Sequence, residues 1–250
     1  MSSLIASSLQ GKPPGGAPLG ILMLETRFPR IPGDMGNPAT WPFPVLYRVV
    51  AGATAEKVVL DGARGLLPDF VAAARDLLAQ GAQAITTTCG FLSIYQDRLA
   101  RELGVPVATS AMLQVPWVQA TLPAGRRVGV VTVSASSLTP AHLAGAGAPP
   151  DTPVAGVEDD GEFFRVIVRS GRTELDVALA EREVVEAARS LMARHSDIGA
   201  IVLECTNMPP YAAAVQAQTG VPVYDIYSMI TWFHAGLRPR VFQPRELHDK

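Results

Sequence analysis

Cysteine is scarce in this chain: 250 residues contain two, Cys89 and Cys205. Neither belongs to a Cys-x-x-Cys pair or sits with histidine at zinc-ligand spacing, and the four histidines share no spacing, so the sequence predicts no metal site. Charge is also sparse. Acidic and basic residues make up 18% of the chain and leave a net charge of −2, which provides no long-range field for nucleic acid or an anionic membrane. No apolar run reaches the roughly 18 residues of a membrane span, and the Ser-, Gly- and Pro-bearing residues 1–18 lack the apolar centre of a secretory signal. These absences predict a disordered leader over 1–18 and a soluble, cytoplasmic protein with reduced thiols. Hydrophobic residues, at 48%, suffice for a well-buried core.

What the chain does contain is a repetition. Ala84-Ile85-Thr86-Thr87-Thr88-Cys89 and Ala200-Ile201-Val202-Leu203-Glu204-Cys205 are the same apolar, β-branched phrase closing on a cysteine, at an offset of 116 positions. The same offset carries Tyr95 onto Tyr211, Gly104 onto Gly220, and Val105-Pro106-Val107 onto Val221-Pro222-Val223 without a gap. Two similar lobes follow, over 19–125 and 126–236, with a polar tail over 237–250.

Each lobe opens on a short apolar run with glycine second, Leu19-Gly20-Ile21-Leu22 and Val128-Gly129-Val130-Val131. Such runs read as buried parallel strands. Helical periodicity follows over Leu66–Gln80, Ser93–Leu103 and Ala111–Leu122, then over Glu174–His195, Pro209–Thr219 and Tyr227–Ala235. Between the first two strands lies a loop, 25–44, with five prolines and two glycines, a stiff irregular path. Residues 158–171 read as an acidic insertion. Strands alternating with helices predict an α/β fold: two Rossmann-like lobes with parallel sheets, related by pseudo-twofold symmetry. Ligands of such sheets bind beyond the carboxyl ends of the strands, where both cysteines fall, so the site is expected in the cleft between lobes.

A thiolate is the reactive form of cysteine, and an expected helix start after each residue favours an anion there. One thiolate and one thiol facing each other would be base and acid on opposite faces of a substrate, as inversion next to a carboxylate requires. A single strand-end cysteine commonly packs as a small hydrophobe. Duplicate placement is what moves the reading to chemistry.

With these motifs the chain resembles the aspartate/glutamate racemase superfamily, from Leu19 to about Pro239. The resemblance implies a cofactor-independent, metal-free isomerase that racemises or epimerises a small carboxylic acid, an amino acid by preference, with Cys89 and Cys205 catalytic. It also implies a homo-oligomer, a dimer in the first instance. Cys205-Thr206 matches the family's second-half Cys-Thr pattern, which makes Thr206 a candidate for the substrate carboxylate. The chain departs from the family at Cys89-Gly90-Phe91, at Asn207 where glutamate racemases have histidine, and at Glu25-Thr26-Arg27, which replaces a glycine-rich acidic motif. Thr88, the Gly90 amide, Asn207, Glu25 and Arg27 complete the expected substrate contacts, with Arg30 a further loop cation. Glu204 takes the place of Thr88 in the second half and, as a strand neighbour of cysteine, is expected to point away. Trp117 and Trp232 are expected to pack the lobes together. Maleate-isomerase-like or decarboxylase chemistry, and a non-catalytic small-molecule sensor on the same scaffold, are the rival readings.

Overall fold

The computed structural model describes residues 18–169 and 173–240; the rest of the expected leader and tail lies outside them. The first lobe contains strands β1 (Leu19–Met23), β2 (Val45–Val49), β3 (Ala84–Thr87) and β4 (Val107–Ala108). Its helices are α1 (Ala55–Val59), α2 (Leu67–Ala79), α3 (Gln96–Leu103) and α4 (Val115–Thr121). The second lobe contains β5 (Arg127–Thr132), β6 (Val154–Gly156), β7 (Ile198–Leu203) and β8 (Val223–Tyr224). Around them lie α5 (Pro140–Gly145), α6 (Glu162–Ile167), α7 (Val177–Arg194), α8 (Ala212–Thr219) and α9 (Ile226–Leu237).

Both sheets are parallel, in the orders β2-β1-β3-β4 and β6-β5-β7-β8. One order is the other repeated, as the sequence predicts. The central strands are buried on both faces, which is why they read as continuous apolar runs rather than as alternation. Their second-position glycines have a shared cause. A Cβ on Gly20 would lie 2.7 Å from Ile85 Cδ1 and 3.2 Å from Leu77 of α2, and one on Gly129 would lie 2.7 Å from Leu191 of α7. Each long helix therefore packs directly on the backbone of its lobe's central strand.

Three expected helices begin later than their periodicity suggests. Ser93–Leu103 becomes a 3-10 segment, Gly90–Tyr95, followed by α3; Pro209–Thr219 becomes Pro209–Tyr211 followed by α8; Ala111–Leu122 becomes Ala111–Gln114 followed by α4. Within the expected insertion, α6 forms because Glu183 of α7 accepts from the Glu162 and Phe163 amides, each at 2.8 Å, and so caps it from outside. Trp117 and Trp232 do meet across the lobes, stacked at 6.4 Å and 18°, but they remain 59% and 69% exposed. Among the described residues, no helix is long and apolar enough to cross a membrane.

Candidate active site

Strands β3 and β7 end one residue before Thr88 and Glu204, so each cysteine follows the last ladder residue by two. The chain is held equivalently in both lobes: the Thr88 amide donates to Leu22 O at 2.9 Å and the Glu204 amide to Val131 O at 2.8 Å. Cys89 and Cys205 are thereby presented, buried, to one small cavity between the lobes. Thr26, Phe28, Arg30, Thr88, Gly90, Phe91, Glu204, Thr206 and Asn207 also line it, with Ile167 of α6. Its free space is about 20 Å³, room for roughly one water. A substrate enters only if the walls part.

The 25–44 loop forms one of those walls. Arg30 pairs with Asp34 at 3.0 Å, donates to Thr26 Oγ1 at 2.8 Å and lies 4.4 Å over the Phe28 ring. Asp34 is buried; it also accepts from the Gly36 amide at 2.6 Å and from the side-chain amide of Asn207 in the other lobe. The Met35 amide reaches Thr206 O at 3.3 Å, Trp41 stacks on Tyr227 of α9, and Phe43 stacks on His234. The proline-rich loop is thus a strap from the first lobe across the second. Asp34, which holds it there, has no signal in the sequence.

Both thiols are held in their protonated form. Burial is the largest cause for each, and the Glu204 carboxylate adds to it. The amides of Phe91 and Asn207, two residues beyond each cysteine, pull the other way and are outweighed. The expected ionisation by helix starts is therefore corrected: the donors exist, but desolvation wins. The two thiols also differ. Arg30 eases ionisation of Cys89, whereas Asp34 and Cys89 itself oppose it at Cys205, whose sulfur also contacts Asn207 Oδ1 at 3.5 Å.

Glu204 points into the site, against expectation. It is fully buried; Oε2 accepts from Thr132 Oγ1 at 2.7 Å, and Oε1 has no hydrogen-bond partner. Burial raises its pKa to about 7, with the Thr132 bond opposing. Gly90 makes room for it: a Cβ there would lie 2.2 Å from Oε1 and 2.6 Å from the Glu204 carbonyl oxygen. Three other expectations change. Glu25 and Arg27 are exposed and do not line the cavity; the Glu25 carboxylate is turned to the Gly52 amide, which donates to it at 2.9 Å, while the Glu25 backbone amide donates to Ala53 O at 2.9 Å. The Thr206 hydroxyl, expected on a substrate carboxylate, donates instead to Thr88 O at 2.7 Å. Thr88 Oγ1 accepts from the Leu24 amide at 3.1 Å, and its own proton stays available.

This geometry accompanies a clear likeness to known proteins. The Asp/Glu/Hydantoin racemase family model matches residues 116–233. Dimethylsulfoniopropionate lyase of Durusdinium sp. clade D is 30% identical over 249 residues, covering 90% of this chain and 79% of that one. Dimethylsulfoniopropionate lyase 7 of Emiliania huxleyi (strain CCMP1516) is 30% identical, covering 88% and 67%. Arylmalonate decarboxylase shares the fold with a TM-score of 0.60 at 16% identity, covering 92% and 96%. The aspartate racemase of Picrophilus torridus does so with 0.55 at 14%, covering 91% and 96%. The chain belongs to the Asp/Glu/hydantoin racemase superfamily, whose members with this fold include racemases and a decarboxylase. Its curated relatives at 30% identity are named lyases.

Proposed function

We propose that the protein is a cofactor-independent enzyme that removes the proton next to the carboxylate of a small acid, and that the outcome is β-elimination from dimethylsulfoniopropionate. The observation that carries this reading is the convergence of Cys89 and Cys205, from equivalent strand ends of the two lobes, on one buried cavity that also holds Arg30 and Glu204. Cys89 serves as the base after losing its proton: burial and Glu204 hold the free thiol protonated, and Arg30 is a cation that eases its ionisation where Cys205 has none. Cys205, between Glu204, Asp34 and Asn207, stays a thiol and donates a hydrogen bond. Arg30 takes the carboxylate through the guanidinium N–H groups that Asp34 and Thr26 leave free.

In the reaction, the Cα–H bond breaks and its proton goes to the Cys89 sulfur. The electron pair forms the Cα–Cβ double bond, and the Cβ–S bond breaks with its pair going to sulfur. Dimethyl sulfide leaves neutral, acrylate remains, and Cys89 returns its proton to solvent. Elimination needs one base, which agrees with the unequal surroundings of the two thiols. The lyase names of the relatives point the same way.

Racemisation of an amino acid, the reading from sequence, is the second possibility, and the equivalent backbone placement of the two cysteines favours it. The experiment is incubation of the purified protein with dimethylsulfoniopropionate. Dimethyl sulfide and acrylate in equal amounts are expected. No release, together with deuterium uptake at Cα of an amino acid in heavy water, would establish racemisation instead.

A further inference from the structure

The carboxyl of Glu204 is the one buried acidic group on the cavity wall among the described residues, and its Oε1 has no partner. Leaving such a group unsatisfied is costly, so a fold retains it where something else completes it. The groups facing it are few. Thr132 on β5 gives one hydroxyl to Oε2; Gly90 offers bare backbone; Cys89 and Cys205 are protonated thiols. Arg30, across the cavity on the strap, is already paired with Asp34. Among the described residues, no cation pairs with Glu204. The symmetry-equivalent position in the first lobe is Thr88, a neutral hydroxyl that accepts from the Leu24 amide, so the repeat is broken here by a charge.

We infer that Glu204 is the specificity-determining residue for this site and that it selects substrates bearing a positive charge near the carboxylate, a sulfonium or an ammonium, by pairing that charge with Oε1. This rests on the carboxylate chemistry proposed above and adds the second pole: Arg30 holds the anion, Glu204 the cation. The Phe28 and Phe91 rings, also on the cavity wall, suit the alkyl groups around such a centre. The cation has a second consequence. The Glu204 charge opposes ionisation of both thiols, and a substrate that offsets it makes Cys89 easier to ionise only when the right ligand is bound. A neutral carboxylic acid of the same shape leaves the thiol protonated.

Two probes of matched shape separate charge from size: 3-(dimethylammonio)propionate, and 4-methylpentanoate, in which carbon replaces the charged nitrogen. Binding of each to the full-length protein and to Glu204→Gln is measured calorimetrically at pH 8 and pH 6. At pH 8 the cationic probe should bind the wild-type protein at least about tenfold more tightly than the neutral one, and Glu204→Gln should abolish the difference. Moving the wild-type protein from pH 8 to pH 6 should weaken the cationic probe about tenfold and should not weaken 4-methylpentanoate, because only ionised Glu204 pairs with the ammonium. The pH arm needs no variant, so a folding defect in Glu204→Gln would not obscure the result. Equal affinity of the two probes for the wild-type protein, binding of neither, or a preference retained by Glu204→Gln would overturn the inference. Dimethyl sulfide release, measured separately, reports on the proposed reaction whichever way the probes behave.

Discussion

The Thr206 hydroxyl donates to the main-chain carbonyl of Thr88 over 2.7 Å, tying the residue after one cysteine to the residue before the other. Both groups are buried, and the bond crosses the lobe boundary at the point where the site is assembled. It turns a threonine expected to bind substrate into a cross-lobe tie. Thr206→Val should leave the Thr88 carbonyl unsatisfied and cost about 1–3 kcal/mol, with Thr206→Ser close to wild type. Urea unfolding reads the cost; unchanged stability with a raised KM would return Thr206 to the role of substrate ligand.

Gly90 leaves no room for a methyl group. A Cβ 2.2 Å from Glu204 Oε1 is relieved by moving that side chain, but the same Cβ is 2.6 Å from the Glu204 carbonyl oxygen, which the Glu204 amide bond to β5 restrains. Gly90→Ala should therefore destabilise by about 1–3 kcal/mol or more, and pairing it with Glu204→Ala should recover only part of the loss. Full recovery in the double variant would show that the backbone can yield.

The pKa of Glu204 makes stability depend on pH with a definite sign. Its folded value, about 7, lies above the ordinary 4.5, so its contribution is fully present below about pH 4.5 and is lost as pH rises through about 7. Glu204→Gln does not titrate. The variant should therefore gain on the wild-type protein as pH rises from 4.5 to 8, by about 3 kcal/mol in all, an order-of-magnitude figure from the size of the shift. Thermal melts across that range test it, and parallel pH curves for the two proteins would contradict it. Stabilisation by removing a site residue is the usual trade between stability and function.

The strap should loosen when its buried anchor is altered. Asp34→Asn removes the charge that pairs with Arg30 while keeping the side chain's shape next to Asn207. Arg30 is slightly exposed, so we expect a loss of about 1–3 kcal/mol rather than the full cost of a buried ion pair. Hydrogen exchange at the Met35 amide, which bonds to Thr206 O, should accelerate more than exchange at β1. Equal protection in variant and wild type would mean that the aromatic stacking alone holds the strap.

Much of this was legible in the sequence because the repeat runs without a gap from Ala84 to Val107. Register-matched cysteines gave the strand ends; the paired Gly20 and Gly129 were visible as a shared second position, and the structure supplies their cause in the helices that press on the sheets there. Glu204 was misjudged for a physical reason. Alternation holds along a ladder, but β7 stops at Leu203, and beyond it the side chain need not follow the strand's period. The mismatch of Glu204 with Thr88 in an otherwise faithful repeat was the available clue. Asp34 and α6 left no such clue, since the partners that fix them, Asn207 and Glu183, lie far along the chain.

In the proposed reaction Cys89 removes the proton. Its most direct test is dimethyl sulfide release from dimethylsulfoniopropionate by the wild-type protein, Cys89→Ser and Cys205→Ser, alongside melts that establish folding. A rate at least about 10²-fold lower is expected in Cys89→Ser, with affinity for 3-(dimethylammonio)propionate retained. Folded Cys89→Ser protein that releases dimethyl sulfide at the wild-type rate would contradict it.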